Sequence, residues 1–221
     1  MKKVAIIVAG GSGNRLGCSV PKAFVKLAGL PMFEYSIVLF ERLGMEGIIV
    51  AVPEGFKLEA ERVLAGGNSK ARVVCGGATR TESVRAAFEA VAPEIDIVGI
   101  HDAARPLLEI EDAAAVFEAA AIHGASALAI TVVDTLKSSK DGFIETTIPR
   151  EGLFAVQTPQ VFRRNILERA LRLEGDFTDD CAMVEALGEK VYIVEGHRSN
   201  FKITYPEDLI LAETILKARS K

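Results

Sequence analysis

Residues 4–8, Val-Ala-Ile-Ile-Val, carry no polar side chain on either face and run directly into Ala9-Gly10-Gly11. A strand with one wet face alternates polar and apolar positions. One that is apolar throughout must be covered on both faces, as in a parallel sheet layered between helices. Runs of the same kind recur at 47–52, 72–75, 95–100, 127–133 and 190–194. Helical periodicity fills most of the gaps. The segment 32–43 places Phe33, Ile37 and Phe40 on one side and stops before Gly44, 81–91 stops before Pro93, and 111–123 stops before Gly124. Strands alternating with helices predict an α/β layered domain, with a mostly parallel twisted sheet flanked by helices.

The 221 residues suffice for one sizeable core, so residues 1–221 read as a single domain. Apolar residues make up 49% of the chain, yet none of their runs approaches the ~18 residues of a membrane span, so a soluble protein without a membrane partner is expected. Met1-Lys2-Lys3 leads straight into the first strand without the apolar stretch and cleavage site of a signal peptide, which makes a cytoplasmic location the expectation. Cys18, Cys75 and Cys181 are odd in number and too far apart for metal or redox spacing, and read as free thiols. The net charge of −4 argues against nucleic acid as a partner, because that calls for a basic excess on one face. An anionic ligand must be held by local cations.

One stretch interrupts the alternation. Residues 132–137, a polar segment 138–142 and the alternating Thr and Ile of 143–148 read as a β-hairpin turning at Asp141-Gly142. Two placements are open. The hairpin extends the edge of the central sheet, or residues 132–150 project as an arm. A projecting two-stranded ribbon is marginal in water and calls for packing against a second subunit.

The chemistry is concentrated behind the first strand, in Ala9-Gly10-Gly11-Ser12-Gly13-Asn14-Arg15-Leu16-Gly17 and the following Pro21-Lys22. Glycines with little side chain between them leave backbone N–H groups free to converge on a polyphosphate, and Arg15 and Lys22 supply charge. A P-loop needs Gly-Lys-Ser/Thr after its second glycine, and the dinucleotide fingerprint needs G-x-G-x-x-G. Neither fits, since Gly11, Gly13 and Gly17 give a spacing one residue too long. A plain βα turn accounts for the glycines but not for Arg15 and Pro21-Lys22 in register with them. Asp102 follows the apolar run 95–100, at the end of a strand where open α/β sheets bind ligands. An acid beside a polyphosphate needs a cation between them, so Asp102 is the candidate Mg²⁺ ligand; the other reading is a structural partner of Arg105. His101, His123 and His197 lack catalytic spacing and read as structural or surface groups.

The pattern G-G-x-G-x-R followed by P-K resembles the sugar nucleotidyltransferase superfamily, which forms NDP-sugars and CDP-alcohols. Residues 76–84, Gly-Gly-Ala-Thr-Arg-Thr-Glu-Ser-Val, and His101-Asp102-Ala103-Ala104-Arg105-Pro106 resemble segments of its 2-C-methyl-D-erythritol 4-phosphate cytidylyltransferases. Gln157-Thr158-Pro159-Gln160, Thr178-Asp179-Asp180, Asn200-Phe201-Lys202-Ile203-Thr204 and Pro206-Glu207-Asp208-Leu209 continue the likeness in order over nearly the whole chain.

The resemblance implies a Rossmann-like domain that transfers a cytidylyl group from CTP to 2-C-methyl-D-erythritol 4-phosphate with Mg²⁺. The products are 4-diphosphocytidyl-2-C-methyl-D-erythritol and pyrophosphate, in isoprenoid precursor synthesis by the non-mevalonate pathway. It implies catalytic roles for Arg15, Lys22 and Lys202, and nucleotide contacts from Ala9, Gly10, Gly11, Gly13, Gly77, Ser83, Asp102 and Ala103. It further implies acceptor contacts from Arg105, Thr135, Arg150, Thr158 and Thr178. The arm at 132–150 then serves a homodimer with shared active sites. Taken alone, Lys202 reads as a solvated lysine, Ser83 as a helix cap, and Thr178 as an N-cap ahead of two acids. Gly10 stands where alanine is frequent in the family, and Ala78 where an acid is, which weakens any ribose contact through residue 78. A ribitol 5-phosphate cytidylyltransferase shares the nucleotide half. A nicotinamide-dependent oxidoreductase shares the first strand and loop but needs an acid after the second strand, where Glu54 is the nearest.

Overall fold

In the computed structural model, which describes residues 1–65, 69–175 and 177–219, the first apolar run becomes β1 (Lys3–Val8) near the middle of a seven-stranded sheet. Behind the glycine loop come the short ribbon β2 (Lys26–Leu27) and β3 (Leu30–Pro31), then α1 (Met32–Arg42), β4 (Gly47–Val52), α2 (Lys57–Ala65) and β5 (Ala71–Cys75). The central part holds α3 (Arg80–Phe88), β6 (Ile97–Asp102), α4 (Ile110–His123) and β7 (Ala125–Thr131). The hairpin β8 (Leu136–Lys140) and β9 (Phe143–Ile148) follows, and then β10 (Phe154–Arg163), α5 (Arg164–Ala170), α6 (Asp180–Glu185), β11 (Tyr192–Glu195) and α7 (Pro206–Arg219).

The sheet order is β11-β7-β10-β6-β1-β4-β5, parallel except where β10 runs against both β6 and β7. Side chains alternate across a strand, so neighbours on β1 enter different cores. Ile7 packs with Phe33, Phe40 and Phe117 on the α1 and α4 side, and Ile6 with Val84, Leu167 and Met183 on the α3, α5 and α6 side. Covering on both faces is what the uninterrupted apolar runs demanded. The mostly parallel sheet between helices is therefore present, and the observed strands lie within two residues of the expected ends.

β10 is the strand that hydrophobic pattern alone does not reveal. Pro159 has no N–H for a ladder and normally rules out a central strand. The irregularity is accommodated by a register shift between Val156 and Gln160, where the Thr158-Pro159 peptide bond is cis.

The hairpin forms its own two-stranded sheet, so extension of the central sheet edge is overturned. Its turn is at Asp141 and Gly142, both with positive φ (51° and 84°), as a type I′ connection requires. The first strand begins at Leu136, four residues later than expected, and β9 is exposed along its whole length, with Phe143 78% and Ile144 68% exposed.

β6 and α4 press together at Gly99, where an added Cβ would lie 2.3 Å from Phe117 Cζ. Gly99→Ala should lower stability by about 1–3 kcal/mol in urea denaturation. Combined with Phe117→Leu, the loss should be smaller than the sum of the two single losses.

Candidate active site

The glycine loop turns back on itself at the carboxyl edge of the sheet. Gly13 and Gly17 adopt positive φ of 75° and 70° on either side of a 3₁₀ turn carrying Arg15, and the Lys22 N–H donates to the Gly11 carbonyl at 2.9 Å. A Cβ on Gly13 would sit 3.2 Å from Lys22 N and Val20 O, so glycine here serves both conformation and space. The Lys22 side chain is drawn inward, with the residue 9% exposed, and its Nζ donates to the Ile203 carbonyl at 2.7 Å. Burial, and then repulsion from Lys202 and Arg15, holds its ammonium below the ordinary lysine pKa. Arg15 lies over the Tyr205 ring, 5.9 Å from its centroid. Three cations confined around one loop repel each other, and an anion placed among them relieves that repulsion.

The facing wall is the start of α3. Thr79 is its N-cap: Thr79 Oγ1 accepts from Glu82 N, and the Glu82 carboxylate accepts from Thr79 N, a complete capping box. Capping thus belongs to Thr79 and not to Ser83. The buried Ser83 hydroxyl instead donates to Thr79 O at 2.9 Å and accepts from Gly77 N at 3.2 Å. A Cβ at Gly76 would meet Ser83 Oγ at 2.6 Å, and one at Gly77 would meet Glu82 Cβ at 2.2 Å. The glycine pair allows backbone to press against this helix end.

Between the walls stands Asp102, 6% exposed at the end of β6. Its Oδ1 accepts from Arg80 Nε at 3.0 Å and its Oδ2 from Lys202 Nζ at 2.6 Å. Burial alone would push the carboxyl up, but Arg80 and Lys202 outweigh it and hold Asp102 well below the usual carboxylate range. Arg80 forks further, with Nη1 2.8 Å from Asp180 Oδ2. Burial works against its charge too, and the two carboxylates prevail. The expected alternative partner of Asp102, Arg105, points elsewhere and donates from Nη1 to Asn200 O at 2.7 Å. Arg80 takes that place.

The Asp102 backbone is pinned as well. Its N–H donates to Thr158 Oγ1, and that hydroxyl lies 3.1 Å from His101 Nδ1. The other ring nitrogen, Nε2, faces the Arg105 carbonyl at 3.2 Å, and a carbonyl can only accept, so Nε2 carries the hydrogen and Nδ1 accepts from Thr158. Burial lowers the His101 pKa to about 4, which keeps this ring neutral and structural, as expected from its lack of catalytic spacing. Asn200, fully buried, donates to Gln157 Oε1 at 3.0 Å and Thr158 O at 2.9 Å, fixing the segment that delivers Lys202.

Two adjoining cavities result. One of about 630 Å³ is lined by Ala9, Gly10, Gly11, Gly13, Arg15, Lys22, Gly77, Ser83, Asp102, Ala103 and Lys202, every nucleotide-side and catalytic candidate. The other, about 260 Å³, is lined by Arg105, Thr158 and Thr178 and shares Arg80, Asp102 and Lys202 with the first. Thr178 is not an N-cap. Asp179 caps α6 by accepting from Ala182 N, and Gln160 braces that end, its Oε1 accepting from Asp180 N and Cys181 N. Thr135 and Arg150 line neither cavity; both are exposed, and Arg150 donates to the Val133 carbonyl at the base of the hairpin. Glu54 is exposed and also lines neither, so the acid needed for a nicotinamide site is missing from its place. Sequence reasoning passed over Arg80 and Asn200. The available signal for Arg80 was physical: a buried carboxylate at residue 102 requires a buried cation, and residues 76–84 already contained one.

A cavity walled by glycine backbone and three cations, opening onto a smaller one across a shared carboxylate and lysine, defines a nucleotidyltransferase. A family model described as 2-C-methyl-D-erythritol 4-phosphate cytidylyltransferase matches residues 3–218. A relative of that name from Pelotomaculum thermopropionicum is 41% identical over 228 residues, covering 99% of this chain and 95% of the relative. Another from Caldicellulosiruptor bescii is 40% identical and covers 98% of each. The crystal structure of 2-C-methyl-D-erythritol 4-phosphate cytidylyltransferase from Thermus thermophilus aligns with a TM-score of 0.83 at 34% identity, over 98% of this chain and 100% of that one. The chain belongs to the 2-C-methyl-D-erythritol 4-phosphate cytidylyltransferase family.

The segment bearing Asn200 and Lys202 starts from a second anchor. His197 Nδ1 lies 2.9 Å from both Asp112 carboxylate oxygens, and the His197 N–H donates to Asp112 Oδ2. The hydrogen bond to Asp112 raises the His197 pKa above 6.5. A raised folded-state value means that the stabilisation is fully present below pH 6.5 and is lost as pH rises through the folded value. Wild type should therefore melt above His197→Gln at pH values below 6.5, and the difference should shrink as the pH rises further.

Proposed function

We propose that the chain transfers the cytidylyl group of CTP to 2-C-methyl-D-erythritol 4-phosphate, releasing pyrophosphate and 4-diphosphocytidyl-2-C-methyl-D-erythritol for isoprenoid precursor synthesis by the non-mevalonate pathway. The observation that carries the reading is the convergence of Arg15, Lys22 and Lys202 on the larger cavity, beside the Arg105, Thr158 and Thr178 wall of the smaller. The loop amides and the Gly77 and Ser83 wall hold the nucleotide, and the smaller cavity holds the acceptor.

The acceptor phosphate has a second pKa of about 6 and is mostly dianionic at neutral pH, so no side chain needs to act as a base. One of its oxygens bonds to the α-phosphorus of CTP as the bond to the bridging oxygen breaks, and pyrophosphate departs with that electron pair. Negative charge grows on the equatorial and leaving oxygens, where Arg15, Lys22 and Lys202 offset it without reorganising.

Mg²⁺ fits in one manner only. Among the described residues there is no group of three or more His, Cys, Asp or Glu, and Asp102 Oδ2 is bonded to Lys202. A single carboxylate suits Mg²⁺ when substrate phosphates and water complete its shell. Asp102 would hold such an ion, which when bound neutralises charge on the phosphate oxygens.

The exposed arm, and the placement of Thr135 and Arg150 at its base away from their own cavities, support a homodimer in which each arm completes the neighbouring site. No helix among the described residues is long and apolar enough to cross a membrane, and we keep a cytoplasmic location without nucleic-acid partners as part of the same reading.

Pyrophosphate release should be supported by CTP over ATP, GTP and UTP, and by 2-C-methyl-D-erythritol 4-phosphate over ribitol 5-phosphate. Lys22→Ala should lower turnover about a hundredfold or more, and full activity in that variant would sink the mechanism. Phe143→Asp with Ile144→Asp should convert a dimer to monomers in sedimentation and depress activity in step. A wild type that sediments as a monomer would remove the shared-site reading.

A further inference from the structure

Asp102 has two counterions of different character. Lys202 is 41% exposed along its side chain and ends a flexible stem, whereas Arg80 is clamped at the start of α3 between Asp102 and the fully buried Asp180. A buried carboxylate cannot give up its last counterion without a heavy electrostatic penalty. Until a metal ion reaches Asp102, Lys202 can turn toward a phosphate without stranding that carboxylate because Arg80 stays behind on Oδ1.

Resting on the roles given to Lys202 and Asp102 above, we propose that Arg80 is a positioning residue that releases Lys202 to the substrate phosphates, with Asp180 as its anchor. Without Arg80, Lys202 becomes the sole cation in contact with Asp102 and is retained there. Three facts support this. Arg80, Asp102 and Lys202 all face both cavities; Arg105 donates to Asn200 and does not take up Asp102; and Arg80 spans its two carboxylates with separate nitrogens, Nε and Nη1, which a lysine cannot reproduce.

Two roles of Arg80 must be separated: compensating the buried Asp180 and freeing Lys202. Asp180→Asn removes the need for compensation while leaving the Arg80 contact with Asp102. Arg80→Gln/Asp180→Asn then removes Arg80 without stranding a buried charge. The double variant should melt with Asp180→Asn, yet lose about tenfold or more in kcat/KM, matching Lys202→Ala. Its affinity for metal-free CTP in calorimetry should fall to the level of Lys202→Ala. Wild-type turnover in the double variant would overturn the proposal and leave Arg80 as a compensating charge only. So would metal-free CTP affinity at the wild-type level in that variant.

Arg80→Lys is the second arm, for the case in which the double variant does not fold. It keeps a cation on the fully buried Asp180 but cannot reach Asp102 as well, so it should melt near wild type and bind metal-free CTP no more tightly than Lys202→Ala; wild-type affinity overturns the proposal. The CTP-binding measurement uses no acceptor, so an error in the acceptor assignment leaves it readable.

Discussion

A single buried carboxylate organises this molecule. Asp102 ends the central strand β6 at the seam between two cavities, and its charge is tolerable there because Arg80 and Lys202 approach from opposite sides. Each of those cations drags in further structure. Arg80 needs Asp180 and hence the position of α6, which Gln160 braces from β10. Lys202 needs the buried Asn200, which is tied to Gln157 and Thr158 on the same strand. The backbone of Asp102 is itself held by Thr158, whose hydroxyl is oriented by a neutral His101. Segments distant in sequence are thus made to agree around one ionised group.

The parts of the fold that were legible in the sequence are those dictated by local chemistry. β1 and β4 announce themselves because strands covered on both faces are apolar almost throughout. The hairpin turn is legible because Asp-Gly accepts the positive φ pair that a two-residue connection demands. What was illegible depends on pairing across the chain. β10 looks unlike a strand because of Pro159, and only its two neighbours explain why it is one. Whether the hairpin joins the sheet edge or leaves it is likewise absent from its own residues.

The site divides along the same line. The glycine loop with Arg15 and Lys22 is one contiguous segment, and its grouping around a cavity follows from the turn alone. Arg80 meets Asp102 across 22 residues, and Lys202 meets it across 100. No periodicity encodes such a meeting. Motifs read as caps changed owners for a similar reason: Thr79 and Asp179, not Ser83 and Thr178, accept from the free N–H groups at the helix starts.

The reversed direction of β10 has a further consequence. Because the strand enters from the carboxyl edge of its neighbours, Thr158 and Gln160 lie beside Asp102, and the same stretch of chain runs on to α6 with Thr178 at its threshold. The wall of the smaller cavity is therefore drawn largely from one passage, between Val156 and Asp179, whereas the larger is drawn mainly from 8–23 and 77–83, with 102–104, Lys202 and Thr204. Evolution can edit one passage and leave the other alone. A lineage that changed its alcohol while keeping its nucleotide would find most of the wall it must rewrite in the strand that runs backwards and the turn into α6, together with Arg105.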